Sequence, residues 1–250
     1  MALRVYAKEV RTVKRQMIHV FSYASLVIGC MLLFWAFYPI ISFELYSRLF
    51  IQRDILSPIP HSQMASALQE ASSVLGTSNV FSSNLKDFVQ ASMWFPTKVQ
   101  AAAPEEKVTV KDYYLSIPKI NIVNAHVVVG GEDLSKSLIH YIPTSLPGEV
   151  GNVAIFGHST LPQLYNPKDY KTIFTYLPSL EKGDKAIIKM GDSEFEYTVY
   201  DMFVVKPDQI SVLEQKYDAS YLTLITCVPP GTYWNRLVIR AKLDNLPDSN

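Results

Sequence analysis

Between Met17 and Ile41 the chain runs 25 residues without a charged side chain unless His19 takes a proton. A run of that length reads as one helix able to cross the hydrocarbon core of a bilayer with some tilt. Its N-terminal flank carries Arg4, Lys8, Arg11, Lys14 and Arg15 against a single acid, Glu9. The positive-inside tendency then places the N-terminus in the cytoplasm and everything after Ser42 outside. Trp35, Phe37 and Tyr38 sit near the outer end, where an interfacial aromatic belt belongs. A cleaved signal peptide is the rival reading. The run is longer than a usual signal core, and FYPIISFELYS lacks a small-x-small cleavage site, which favours an uncleaved anchor. A buried core helix is the third reading.

The remaining composition narrows the function classes. Net charge is zero and the isoelectric point is about 7.0, so no basic surface argues for nucleic acid. There are two cysteines, Cys30 and Cys227. Cys30 lies in the apolar run as a small packing or lipid-facing residue, which separates it from Cys227 and argues against a disulfide between them. No Cys/His cluster has zinc spacing, and no cofactor is implied. The chain divides into a basic cytoplasmic tail (1–16), a transmembrane anchor (17–43), a stalk or linker (44–107) and an extracytoplasmic domain (108–250). In the stalk, Met64–Leu75 has weak helical spacing, and Asn84–Trp94 forms a second short amphipathic piece with Leu85, Phe88 and Val89 on one side. Pro96 ends that piece, and AAAPEEK reads as a linker. A spacer is the favoured role, ahead of a lid over a site. His61, in a polar stretch, reads as solvated.

After Val108 the pattern is one of strands. Val108–Ile117, Ala125–Val129, Asn152–Phe156, Lys185–Met190 and Glu194–Val205 all read as β, broken by Pro/Gly turns. Asp133–His140 reads as a short helix, Tyr170–Leu177 as a short helix or turn, and Pro207–Ala219 as a long connection. Seven or eight short strands with irregular links make this a mainly β domain, a closed barrel or a sandwich.

The last hairpin, Tyr221 to Leu243, carries the chemistry. Leu222–Cys227 suits a buried strand, and Pro229, Pro230 and Gly231 stop its ladder. Arg236–Leu243 resumes the strand, with Leu237, Ile239 and Ala241 on one face and Arg236, Val238 and Arg240 on the other. A thiol at a strand end opposite a guanidinium is a candidate nucleophile with an oxyanion partner. A buried structural cysteine beside a surface arginine is the alternative. His158 ends the strand VAIFG much as Cys227 ends LTLIT, and Gly157 before it lets the backbone turn closely. That position suits an acid/base partner for a thiol. His126, at the start of a strand, and His140, in the predicted helix, read as packing or surface residues.

These segments resemble the signatures of a known family. TLITC at Thr223–Cys227 followed by Arg236 in NRLVIRA is similar to the signature of the sortases, cysteine transpeptidases of bacterial surfaces. NVAIFGHS at Asn152–Ser159 resembles their histidine motif, and LPGEVGN at Leu146–Asn152 and SIPKINI at Ser116–Ile122 resemble the segments that precede it. The resemblance covers about Val108 to Leu243. It implies an eight-stranded sortase β-barrel with short helices, preceded by the anchor and a partly helical stalk. Cys227 would be the nucleophile, His158 the general acid/base and Arg236 the oxyanion or substrate-positioning group, with Thr226 lining the substrate site. Arg240 competes for the arginine role, but lies about 13 Å further along the strand, and the family pattern selects Arg236. The implied substrates are surface proteins with a C-terminal, LPXTG-like sorting signal, and the implied acceptor is an amine of the cell envelope. Serine follows His158 where many relatives have arginine. No second span follows the domain and no Asp-Pro-aromatic segment precedes it, which points to a wall-anchoring type over a pilus polymerase. A cysteine hydrolase with the same residues and a stalked, non-catalytic binding module are the competing readings.

Overall fold

A computed structural model describes residues 13–51, 89–94, 110–142 and 144–244. The apolar run forms one helix, α1 (Val13–Tyr46), of 34 residues with Pro39 inside it. It continues into a π-helical turn, Ser47–Ile51. Residues 16–49 are long and apolar enough to cross a membrane, with mean hydropathy 2.1. Met64–Leu75, His61 and the first part of Asn84–Trp94 lie outside the described residues. What is described of the last piece includes a 3-10 turn, Ala91–Met93.

Eight strands follow: β1 (Asp112–Ile117), β2 (Ile122–Val129), β3 (Leu138–His140), β4 (Gly151–Phe156), β5 (Lys185–Met190), β6 (Ser193–Val205), β7 (Ser220–Val228) and β8 (Asn235–Leu243). They close into a barrel in the order β1-β2-β3-β4-β7-β8-β6-β5, with β5 returning to β1. The pairs β2–β3 and β4–β7 are parallel, and the others are antiparallel. Closure removes the free strand edges that an open sheet would expose. Between the barrel and the sandwich left open by strand count, the chain takes the barrel.

One expectation is corrected. Asp133–His140 is not a helix: turns at its start lead into β3, whose three residues pair with β2 on one side and β4 on the other. Strand pairing decides the matter, because Leu138, Ile139 and His140 are all buried between neighbours and their backbone groups must be satisfied across the sheet.

Two apolar layers share the strands. The interior takes alternate residues, among them Leu115, Val153, Ile155, Leu222, Leu224, Leu237 and Ile239. The second layer lies outside the barrel on β4, β6, β7 and β8, where Ala154, Phe156, Phe203, Val205, Ile225, Cys227 and Val238 are covered by Trp94, Leu134, Val212 and Leu213. In β6 the register against β8 shifts between Val199 and Asp201. This bulge inverts the alternation, so that Tyr197 and Val199 point inward while Phe203 and Val205 reach the outer layer. Without it the outer layer would lose its β6 side.

Candidate active site

The site lies on this outer layer, at the ends of β4 and β7 and the start of β8. Cys227 and Arg236 are directly opposite one another in the β7–β8 ladder, so their side chains share a face. Val205 of β6 pairs with Arg236 on its other side. The parallel β4–β7 ladder ends at Phe156 and Ile225, and Gly157 donates one more backbone bond to the Ile225 carbonyl at 3.1 Å. His158 follows at the end of β4, and the Trp94 ring faces both it and Arg236, the ladder partner of Cys227. The chain ends are tied further by side chains: Thr226 Oγ1 donates to the Gly157 carbonyl at 2.8 Å, and Ser159 Oγ to the Cys227 carbonyl at 2.6 Å. A Cβ on Gly157 would fall 2.5 Å from both Leu138 and Phe174, so only glycine lets β4 turn here.

All three polar groups are buried: Cys227 is 1 % exposed, Arg236 2 % and His158 7 %. Trp94, itself fully enclosed, packs directly on two of them and belongs to the same apolar cluster as Cys227. Its ring lies 5.6 Å from the His158 ring and 5.2 Å from the Arg236 guanidinium, and its carbonyl accepts from Arg236 Nη2 at 3.3 Å. Backbone bonds hold this segment to the turn before β3, from Ala91 to the Glu132 carbonyl at 3.1 Å and from Leu134 to the Val89 carbonyl at 3.0 Å. Residues 89–94, within the predicted stalk, therefore pack over the site. The pairing that reveals it spans 142 residues, which no local pattern could show.

Burial sets the resting charges. It pushes the Cys227 thiol up to about 11, against the opposing pull of the Arg236 charge. It brings the His158 imidazole down to about 4, only partly offset by Asp133 and Asp169. Thiol and imidazole are both neutral at neutral pH. Arg236 Nη1 donates to the carbonyls of Tyr233 and Asn235, at 3.1 and 3.3 Å. Its Nε is buried and has no hydrogen-bond partner among the described residues. A buried, unpaired N–H on a fixed guanidinium is costly unless something comes to accept from it.

The other candidates sit elsewhere. Thr226 is on the strand face opposite to Cys227, fully buried, with its hydroxyl spent on Gly157. Arg240 shares the face of Arg236 but pairs with Thr223 and lies over the Phe203 ring at 5.0 Å. His126 pairs with Asp112 at 2.9 Å on the outside of β2. His140 is buried within the barrel wall, its Nδ1 2.8 Å from the Tyr113 hydroxyl. Cys30 is exposed on α1, and both cysteines are free.

Comparison with known proteins finds sortases. The sortase D of Bacillus subtilis (strain 168) is 31 % identical over 117 residues, covering 46 % of this chain and 53 % of that protein. The sortase A of Bacillus anthracis is 30 % identical over 132 residues, covering 52 % and 58 %. The chain thus spans about half the length of the curated relatives it matches. Among solved structures, a Clostridium perfringens sortase D5 transpeptidase is 27 % identical at a TM-score of 0.47, covering 54 % of this chain and 79 % of that one. The family model for the sortase domain matches residues 115–244, over half the chain, from the middle of β1 through His158, Cys227 and Arg236 to the end of β8, and the chain belongs to the sortase family.

Proposed function

We propose that this protein is a membrane-anchored cysteine transpeptidase that cleaves a C-terminal, LPXTG-like sorting signal and transfers the acyl part to an amine of the cell envelope. The observation that carries the reading is that Cys227 lies opposite Arg236 on one outer face, with one tryptophan ring, Trp94, against both Arg236 and His158. In this reading α1 anchors the chain with its N-terminus in the cytoplasm and the barrel outside, supported by the length and apolarity of the helix and its basic flank.

Catalysis begins when Trp94 leaves and the peptide takes its place. His158 accepts the Cys227 proton, and the thiolate attacks the scissile carbonyl. The carbonyl oxygen becomes an oxyanion, which accepts from Arg236. A fixed donor of this kind lowers the barrier by about 2.7–4 kcal/mol. The imidazolium then gives its proton to the departing amine as the C–N bond breaks, leaving a thioester on Cys227. The incoming amine attacks that thioester while neutral His158 takes its proton. The thiolate leaves, is reprotonated, and a new amide has formed at no cost in nucleotide. Exclusion of water by the apolar layer around Cys227 favours amine over hydrolysis.

The test is product analysis by mass spectrometry, with a sorting-signal peptide and several amines. An amide product that grows with amine concentration is expected. Hydrolysis product alone at high amine would contradict transfer.

A further inference from the structure

The outer layer beside Cys227 owes one wall to a loop. Residues 206–219 connect β6 to β7, and their 3-10 turn, Ile210–Leu213, buries Val212 and Leu213 in the same cluster as Cys227 and Trp94. A loop of this length has no ladder of its own to hold it. Here the ladder is supplied by one side chain. Gln215 Oε1 accepts from the Asn152 backbone N–H and from Ser145 Oγ, both at 2.9 Å, and its Nε2 donates to the Asn152 carbonyl at 3.0 Å. A primary amide thereby pairs with both backbone groups of the second residue of β4, as a neighbouring strand would. Asn152 answers from its own side chain. Its Nδ2 reaches the carbonyls of Val212 and Glu214, at 3.4 Å each, and its Oδ1 accepts from Thr223 of β7 at 2.6 Å. The arrangement needs Gly151: a Cβ there would lie 1.9 Å from Ser145 Oγ and 2.7 Å from Gln215 Oε1, and its φ of +140° is one that side chains avoid.

We propose that Gln215 is a positioning residue that latches the β6–β7 connection onto β4, so that Val212 and Leu213 form a fixed apolar wall for the acyl-donor peptide. The substrate part of this inference rests on the transpeptidase reading, whereas the latch itself does not. Gln215 is half-buried and touches no reacting atom; it acts by sparing the peptide the entropy of ordering the loop. Its loss therefore falls on binding and leaves the chemical step alone.

The experiment uses the full chain in detergent micelles and compares wild type, Gln215→Leu, Gln215→Glu and Ser145→Ala. Hydrogen exchange over residues 210–214 is measured without substrate, and KM and kcat are measured with an LPXTG-type peptide. Gln215→Leu is expected to speed exchange at 210–214 while β7 stays protected, and to raise KM about tenfold with kcat within about twofold. Gln215→Glu keeps the acceptor and loses the donor, and Ser145→Ala removes one bond, so both give smaller changes in the same direction. They carry the test if Gln215→Leu does not fold. Unchanged exchange at 210–214 overturns the latch, and faster exchange with unchanged KM overturns its link to the peptide. An equal rise in exchange across β4 and β7 shows a general structural role and also overturns it. A wild type that turns over no peptide counts against the transpeptidase reading, and the exchange result alone then decides the latch.

Discussion

Trp94 and Arg236 hold each other across 142 residues of chain. The tryptophan ring faces the guanidinium at 5.2 Å, and the carbonyl of the same residue accepts from Nη2 at 3.3 Å. An arginine stacked on an aromatic face and bonded to its backbone is well placed, and its Nε has no hydrogen-bond partner among the described residues. The same ring covers His158. Opening the site therefore breaks a stacking contact, a charged hydrogen bond and an apolar contact together.

Removing that ring exposes the thiol. Trp94→Ala is expected to lower the Cys227 pKa from about 11, because desolvation is its largest cause and the Arg236 charge then acts without that opposition. Alkylation by iodoacetamide at pH 7 should accelerate at least about tenfold, since thiolate is the reacting form. An unchanged rate would mean that Trp94 does not control access.

The two arginines on β8 should separate cleanly. Arg236→Lys keeps a charge but loses the Nε–H and the planar fork, so kcat/KM should fall by about two to three orders of magnitude. Arg240→Ala removes interactions with Phe203, Tyr200 and Tyr221, none of them site residues, and activity should stay within a few-fold. Circular dichroism and melting curves of both variants separate lost chemistry from lost folding. Equal losses in the two would undo the assignment of Arg236.

Acid should destabilise the fold through two buried histidines, His158 in the site and His140 outside it, and His140 isolates the effect from catalysis. Burial holds His140 at about 4, below its ordinary 6.5, while its ring nitrogens are engaged with Tyr113 and Thr144. A depressed imidazole keeps its full contribution above the unfolded pKa. As pH falls from about 6.5 to 4, the unfolded chain takes a proton that the native state refuses, and stability drops by up to about 3 kcal/mol. Melting temperature should decline over that window, and His140→Gln should flatten the decline whatever it does to the starting value. A slope unchanged in the variant would place the acid sensitivity elsewhere.

The sequence disclosed what is local and repetitive. β7 and β8 are legible from alternation, and the alternation of Leu237, Ile239 and Ala241 against Arg236, Val238 and Arg240 is the one the barrel uses. His158 is legible because it closes an apolar strand after a glycine. β3 is not, since three residues after a polar turn carry no period, and only pairing on both sides makes them a strand. The side on which Thr226 stands is legible as well, since strand geometry turns it to the face opposite its neighbour Cys227. Trp94 and Gln215 stayed hidden because each acts on partners far along the chain, Arg236 in one case and Asn152 in the other.

The most direct measurement is intact-protein mass spectrometry of the full chain, and of Trp94→Ala, after incubation with a sorting-signal peptide. A mass increase matching the acyl fragment is expected, mapped by digestion to Cys227, absent from Cys227→Ala, and discharged on adding an amine to give the corresponding amide. Full transpeptidation by Cys227→Ala, or an acyl group mapped to any other residue, would contradict the assignment of Cys227 as the nucleophile.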